Sequence, residues 1–96
     1  MQDIVTRRIH AKVYGRVQGV GFRAFVLHHA QALGLAGTVR NVYFPTRHVD
    51  VVAEGPQPDL QFLIDRLQQG PPMSRVDKID LTWQNPTGSC PQFRIA

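Results

Sequence analysis

Apolar and polar residues alternate strictly over residues 8–13, with Ile9, Ala11 and Val13 set against Arg8, His10 and Lys12. A period of two predicts a half-buried strand. From Phe22 the period lengthens: Phe22, Val26, Ala30 and Leu33 recur at helical spacing, and Gly34 follows as a stop, which predicts a helix over 22–33. Residues 38–44 are rich in β-branched and aromatic side chains and read as a second strand. Pro45 and Thr46 interrupt it, and Val49, Val51 and Ala53 carry a third strand over 48–54; the short break predicts a hairpin. Leu60, Leu63, Ile64 and Leu67 mark a second helix, entered near Pro58 and ended by Gly70-Pro71-Pro72. Ile79, Leu81 and Trp83 then alternate against Lys78, Asp80 and Thr82, a fourth strand over 76–83. The loop QNPTGSCP leads to a short last strand around Phe93 and Ile95.

The order is β-α-β, hairpin, β-α-β and a final strand. Two such units interleave as a ferredoxin-like split βαβ sandwich of the α+β class. The expected sheet is antiparallel, of four to five strands, with two helices on one face, and right-handed crossovers leave few other arrangements. A length of 96 residues makes 1–96 a single expected domain. With 43% hydrophobic and 19% charged residues, the composition is that of a folded chain rather than a disordered one. No apolar run approaches the roughly 18 residues that a membrane span needs, so no membrane association is expected. The stretch MQDIVTRRIH has no apolar core of the kind a secretory signal carries. Cys90 is the one cysteine and closes no internal disulfide, so a reducing, cytoplasmic location is expected. The net charge of +4 favours anionic partners, but the basic residues are scattered, and nucleic acid and phosphorylated metabolites both stay open.

Candidate chemistry concentrates between the first strand and the first helix. Gly15, Gly19 and Gly21 fall within seven residues. Such a cluster marks unusual backbone angles or close approach by a ligand. The backbone amides of Arg16, Val17, Gln18, Gly19, Val20, Gly21 and Phe22 can converge near the helix N-terminus, where free N–H groups and the dipole favour an anion. Arg23 adds a planar donor fork on the first turn. A merely tight strand-to-helix connection accounts for the glycines equally well at this point. The spacing G-x-x-x-G-x-G is neither a Walker loop, which ends in Gly-Lys-Ser/Thr, nor the dinucleotide fingerprint. Cys90 lies only four residues before Arg94, too close for a C-x5-R phosphatase loop, and reads as an inert thiol. His10, His28, His29 and His48 lack zinc-ligand spacing, with His28 and His29 expected to point in different directions. The acidic residues form no cluster, so neither metal nor cofactor is expected. Asn41, taken alone, reads as a strand end or turn residue.

The segment Val17-Gln18-Gly19-Val20-Gly21-Phe22-Arg23 resembles the signature of the acylphosphatases. The similarity continues through Gly37-Thr38-Val39-Arg40-Asn41, Val51-Val52-Ala53-Glu54-Gly55-Pro56, Gln69-Gly70-Pro71-Pro72, Arg75-Val76 and Phe93-Arg94-Ile95. The resemblance implies hydrolysis of acyl phosphates, which are carboxyl-phosphate mixed anhydrides, to carboxylate and inorganic phosphate. It implies water as the nucleophile and no metal. Arg23 would bind the phosphoryl group with the loop amides, and Asn41 would position the water. Thr38 stands where the family often has Trp, Val42 stands where a polar residue is common, and the turn 44–48 lacks a frequent glycine. The width and polarity of the site mouth are therefore open. Split βαβ sheets also serve as RNA platforms through aromatics on the open face. Tyr14 and Tyr43 are candidates for that role, but no basic-aromatic octamer accompanies them, and the pairing of Arg23 with Asn41 favours catalysis. Domains of this type also occur at the start of larger carbamoyl-transfer proteins. A free-standing monomeric enzyme, with a small acyl phosphate as partner and no nucleic acid, is the expectation.

Overall fold

The computed structural model describes residues 4–96, so the stretch MQDIVTRRIH, with its expected lack of a secretory signal, lies partly outside the described residues. The chain runs β1 (Thr6–Arg16), α1 (Phe22–Ala32), β2 (Ala36–Val42), β3 (His48–Pro56), α2 (Gln57–Gln69), β4 (Arg75–Gln84) and β5 (Arg94–Ile95). Every element expected from the hydrophobic pattern is present. β2 sits two residues earlier than its composition suggests, which leaves Tyr43 and Phe44 in the turn before β3.

The strands lie in the order β4-β1-β3-β2-β5. β1 pairs antiparallel with both β3 and β4, and β2 pairs antiparallel with β3 as the predicted hairpin. α1 joins β1 to β2 across β3, and α2 joins β3 to β4 across β1, which is the interleaved split βαβ. β5 corrects the expectation of a wholly antiparallel sheet: it runs parallel to β2, with Thr38 opposite Arg94 and Val39 opposite Ile95. The path of the chain explains this. β4 ends on the edge far from β2, so residues 85–93 cross the end of the sheet where β4 stops. They then turn back in the direction opposite to β4, which is the direction of β2.

Ile9, Ala11 and Val13 of β1 and Val49, Val51 and Ala53 of β3 are fully buried. They meet Phe22, Val26 and Ala30 of α1 and Leu60, Leu63 and Leu67 of α2 in one continuous core. α1 stops as its sequence indicates. Gly34 takes a left-handed φ of 69°, its amide reaches Gln31 at 3.0 Å, and the Leu35 amide reaches Ala30 at 3.0 Å. That is the paired closure a glycine after a helix permits. Buried Leu35 adds the apolar contact. The opposite face of the sheet is polar: His10 Nε2 lies 2.7 Å from Asp50 Oδ1, and the Tyr14 ring packs on His48 at 5.1 Å.

The crossing segment is held by one buried carboxylate. Glu54 accepts hydrogen bonds from the Thr87 amide at 3.1 Å and hydroxyl at 2.7 Å, and from the Gly88 amide at 3.0 Å. The Cys90 thiol at 3.1 Å and Arg8 at 2.9 Å complete the shell. Burial alone would raise the Glu54 carboxyl, but the Thr87 hydroxyl and amide, Cys90 and Arg8 hold it well below the usual carboxylate range. A carboxyl lowered by folding contributes stability in full above its ordinary value of 4.5. That contribution fades as pH falls below it. Urea unfolding between pH 7 and pH 3 is expected to show wild-type stability falling below about pH 4.5, with a shallower fall in Glu54→Gln. Parallel pH profiles for the two proteins would contradict this assignment.

Candidate active site

At Gly15 the pairing of β1 with β4 slips by one residue. Gly15 has a φ of 129°, and a Cβ there would collide with the Arg75 carbonyl oxygen. Only glycine lets the strand turn away while keeping its neighbour this close. The chain then passes through Gly19 and Gly21, at φ 73° and 80°, both with open space where a Cβ would stand. Left-handed residues alternating with ordinary ones turn successive amides toward one side. Gly21 is also the N-cap of α1, and it supplies no side-chain cap; the first turn holds no acidic residue. The first helix amides therefore have no side chain assigned to them, and the positive end of the dipole faces outward.

These groups line a pocket of about 210 Å³. Gly19, Gly21, Phe22 and Arg23 form one side and Asn41 another, with Val17, Ala24 and Ile95 completing the wall. Asn41 is inside β2, opposite Val49, on the same helix-facing side as buried Val39. That register directs it toward α1 instead of ending the strand. Its Oδ1 is buried and, among the described residues, has no hydrogen-bond partner. A buried acceptor without a partner carries a free-energy cost, and such atoms concentrate where a ligand binds. Arg23 is the single charged side chain in the wall, and no carboxylate, imidazole or thiol joins it. The field is positive, and the polar groups suit one tetrahedral oxyanion.

Of the seven residues expected to contribute amides, Val17, Gly19, Gly21 and Phe22 reach the pocket wall. Arg16 remains in β1, paired with Arg75. Val20 leans on the core. Gln18 acts as an anchor through its side chain, whose Nε2 donates to the Val42 carbonyl at 2.9 Å and the His48 carbonyl at 3.1 Å. The loop is thereby tied to both ends of the turn that follows Asn41. Sequence reasoning missed this anchor, and it also missed Ile95, whose place depends on the parallel pairing of β5.

The remaining candidates stand away from the pocket. Cys90 packs against Glu54, and burial together with that carboxylate pushes its thiol up. His28 and His29 lie closer than expected, with ring centroids 5.2 Å apart. Burial, His28 and Arg66 lower His29. Among the described residues, no group of three or more His, Cys, Asp or Glu side chains is arranged to hold a metal ion.

The family model described as acylphosphatase matches residues 9–95. The chain belongs to the acylphosphatase family. It is similar to the acylphosphatase of Thermococcus kodakarensis, 43% identical over 81 residues that cover 84% of this chain and 87% of the relative. The solved acylphosphatase from Bacillus subtilis superimposes with a TM-score of 0.86 at 38% identity, covering 94% of this chain and 98% of that one. HypF of T. kodakarensis superimposes with a TM-score of 0.77 at 33% identity, covering 93% of this chain but 12% of that protein. The acylphosphatase signature thus falls on the loop that forms the pocket. Gln18, within that signature, fixes the loop through its side chain. Gln18→Ala is expected to cost about 1–2 kcal/mol of stability through two part-buried hydrogen bonds. It should also weaken competitive inhibition by inorganic phosphate several-fold. Unfolding and inhibition measured on one preparation check both, and unchanged inhibition would show that the loop holds its shape unaided.

Proposed function

We propose that Arg23 and the amides around Gly19, Gly21 and Phe22 hold the phosphoryl group of an acyl phosphate, and that Asn41 positions the attacking water. The reaction of the family is hydrolysis of a carboxyl-phosphate mixed anhydride to carboxylate and inorganic phosphate, without a metal. The observation that carries the assignment is the buried, unpartnered Asn41 Oδ1 in the same wall as Arg23. A carbonyl oxygen of this kind accepts a hydrogen from water and turns a lone pair toward phosphorus.

The chemistry asks little more of the protein. Phosphoryl transfer passes through a loose transition state with charge spread over three equatorial oxygens, so catalysis is chiefly positioning and electrostatics. The guanidinium supplies a planar pair of donors, and the helix amides supply dipoles that need no reorganisation. A carboxylate leaves without being protonated, so no general acid is required. The proton lost by water passes to a phosphate oxygen of the substrate, as the family resemblance implies.

We read residues 1–96 as one domain acting as a cytoplasmic monomer. Support for one domain comes from the single continuous core. Among the described residues, no helix is long and apolar enough to cross a membrane. The open sheet face favours this reading over an RNA platform, because Tyr14 is engaged there by His48 and Lys78. Tyr43 stands outside β2 beneath the Arg47 guanidinium.

Arg23→Lys is expected to lower kcat/KM for benzoyl phosphate by about 10²- to 10³-fold, since a point charge does not replace the fork. Asn41→Ala should lower kcat by about 10²-fold while leaving inhibition by inorganic phosphate nearly unchanged. Steady-state assays with EDTA present check both. Full activity in Arg23→Ala would remove that residue from the mechanism.

A further inference from the structure

We infer that Ile95 is the residue against which the acyl group of the substrate rests, and that it selects acyl phosphates with an apolar acyl chain over acetyl phosphate or acyl groups bearing a second charge. This inference rests on the hydrolase reading above. The pocket wall divides by chemistry. Gly19, Gly21, Arg23 and Asn41 present the polar groups that a phosphoryl oxygen or a water engages. The acyl part of the same molecule has to lie along what remains. Val17 and Phe22 are 2% and 1% exposed and belong to the core, and Ala24 offers one methyl group. Ile95 is 40% exposed and is the one large apolar side chain in the wall with surface to give.

Its position is held from several directions. The parallel pairing sets Ile95 beside Val39, two residues before Asn41 on the same strand. The Ala96 amide donates to the Val39 carbonyl at 2.9 Å, and the Gly37 amide donates to the Pro91 carbonyl at 2.8 Å. An apolar wall on a backbone fixed in this way gains surface contact from an aromatic or branched acyl group and little from a methyl. Arg23 is already committed to the phosphoryl group, so a carboxylate on the far end of the acyl chain finds no second cation in the wall. Such a substrate would lose water at that carboxylate without recovering an ion pair.

The test compares kcat/KM for benzoyl phosphate and acetyl phosphate in wild type, Ile95→Ala, Ile95→Thr and Ile95→Val. Inorganic phosphate inhibition and the unfolding midpoint are measured alongside. Ile95→Thr keeps the β-branch that suits a strand and replaces apolar surface by a hydroxyl, so it guards against a folding defect in the alanine variant. In Ile95→Ala and Ile95→Thr, benzoyl phosphate is expected to lose about ten-fold in kcat/KM, mostly through KM. That is the low end for one lost methylene in a closed hydrophobic pocket, as befits an open wall. Acetyl phosphate and phosphate inhibition should stay within about two-fold of wild type, a difference too small to reflect a lost contact, and Ile95→Val should recover most of the benzoyl preference. An unchanged ratio of the two substrates would overturn the inference and leave the hydrolase reading intact. Equal losses on both substrates together with weaker phosphate inhibition would also overturn it, by showing that Ile95 only supports the fold. A wild type that hydrolyses neither substrate would overturn the hydrolase reading and this inference with it.

Discussion

The site depends on a helix that begins without a cap of its own. α1 starts at Gly21 in the left-handed conformation, with no side chain on its first amides and no acid in its first turn. In an ordinary helix this would be a defect, because the first N–H groups would rely on water alone. Arg23 compounds it, since a cation near the positive end of the dipole is unfavourable. An anion seated between them reverses both terms. The amides gain an acceptor, the dipole faces negative charge, and the guanidinium gains a partner. On the proposed reading of the site, local stability is exchanged for anion affinity, and the large core under α1 makes that tolerable.

The two ends of the sheet cooperate in shaping the pocket. At one end Gln18 ties the loop to the carbonyls of Val42 and His48, so the turn of the loop is set by the β2–β3 hairpin. At the other end Glu54 gathers Thr87, Gly88, Cys90 and Arg8, and thereby guides the crossing segment to the far edge of the sheet. β5 follows from that crossing and brings Ile95 to the pocket wall. A carboxylate at the opposite end of β3 therefore takes part in placing a residue beside Asn41. Stability and site geometry share the same few polar contacts.

Much of this was legible in the residues. The alternation of Ile9, Ala11 and Val13 and the helical spacing of Leu60, Leu63 and Leu67 identify elements whose buried faces are those observed. Gly34 marks the end of α1 because a left-handed turn is required there. Arg23 stands out from its place at the start of a helix after a glycine cluster and Asn41 through the family resemblance, and they meet in one pocket although eighteen positions separate them in the numbering. The direction of β5 was not legible, because two residues carry no periodicity and their partner is decided by where residues 85–93 cross. Gln18 escaped for another reason. A glutamine in a glycine-rich loop has no spacing that announces two carbonyl partners on a hairpin far along the chain. β2 lies two residues before the stretch its composition marks, because Tyr43 and Phe44 have strand propensity yet lie exposed in the turn.

Whether one anion completes the start of α1 is measured most directly by an NMR titration of the protein with inorganic phosphate in the presence of EDTA. Saturable shifts are expected to concentrate in the amides of residues 17–24, the Arg23 guanidinium and the Asn41 side chain, with α1 gaining hydrogen-exchange protection in its first turn. Shifts spread over the open face around His10 and Asp50, or no saturable shift in the loop, would contradict it.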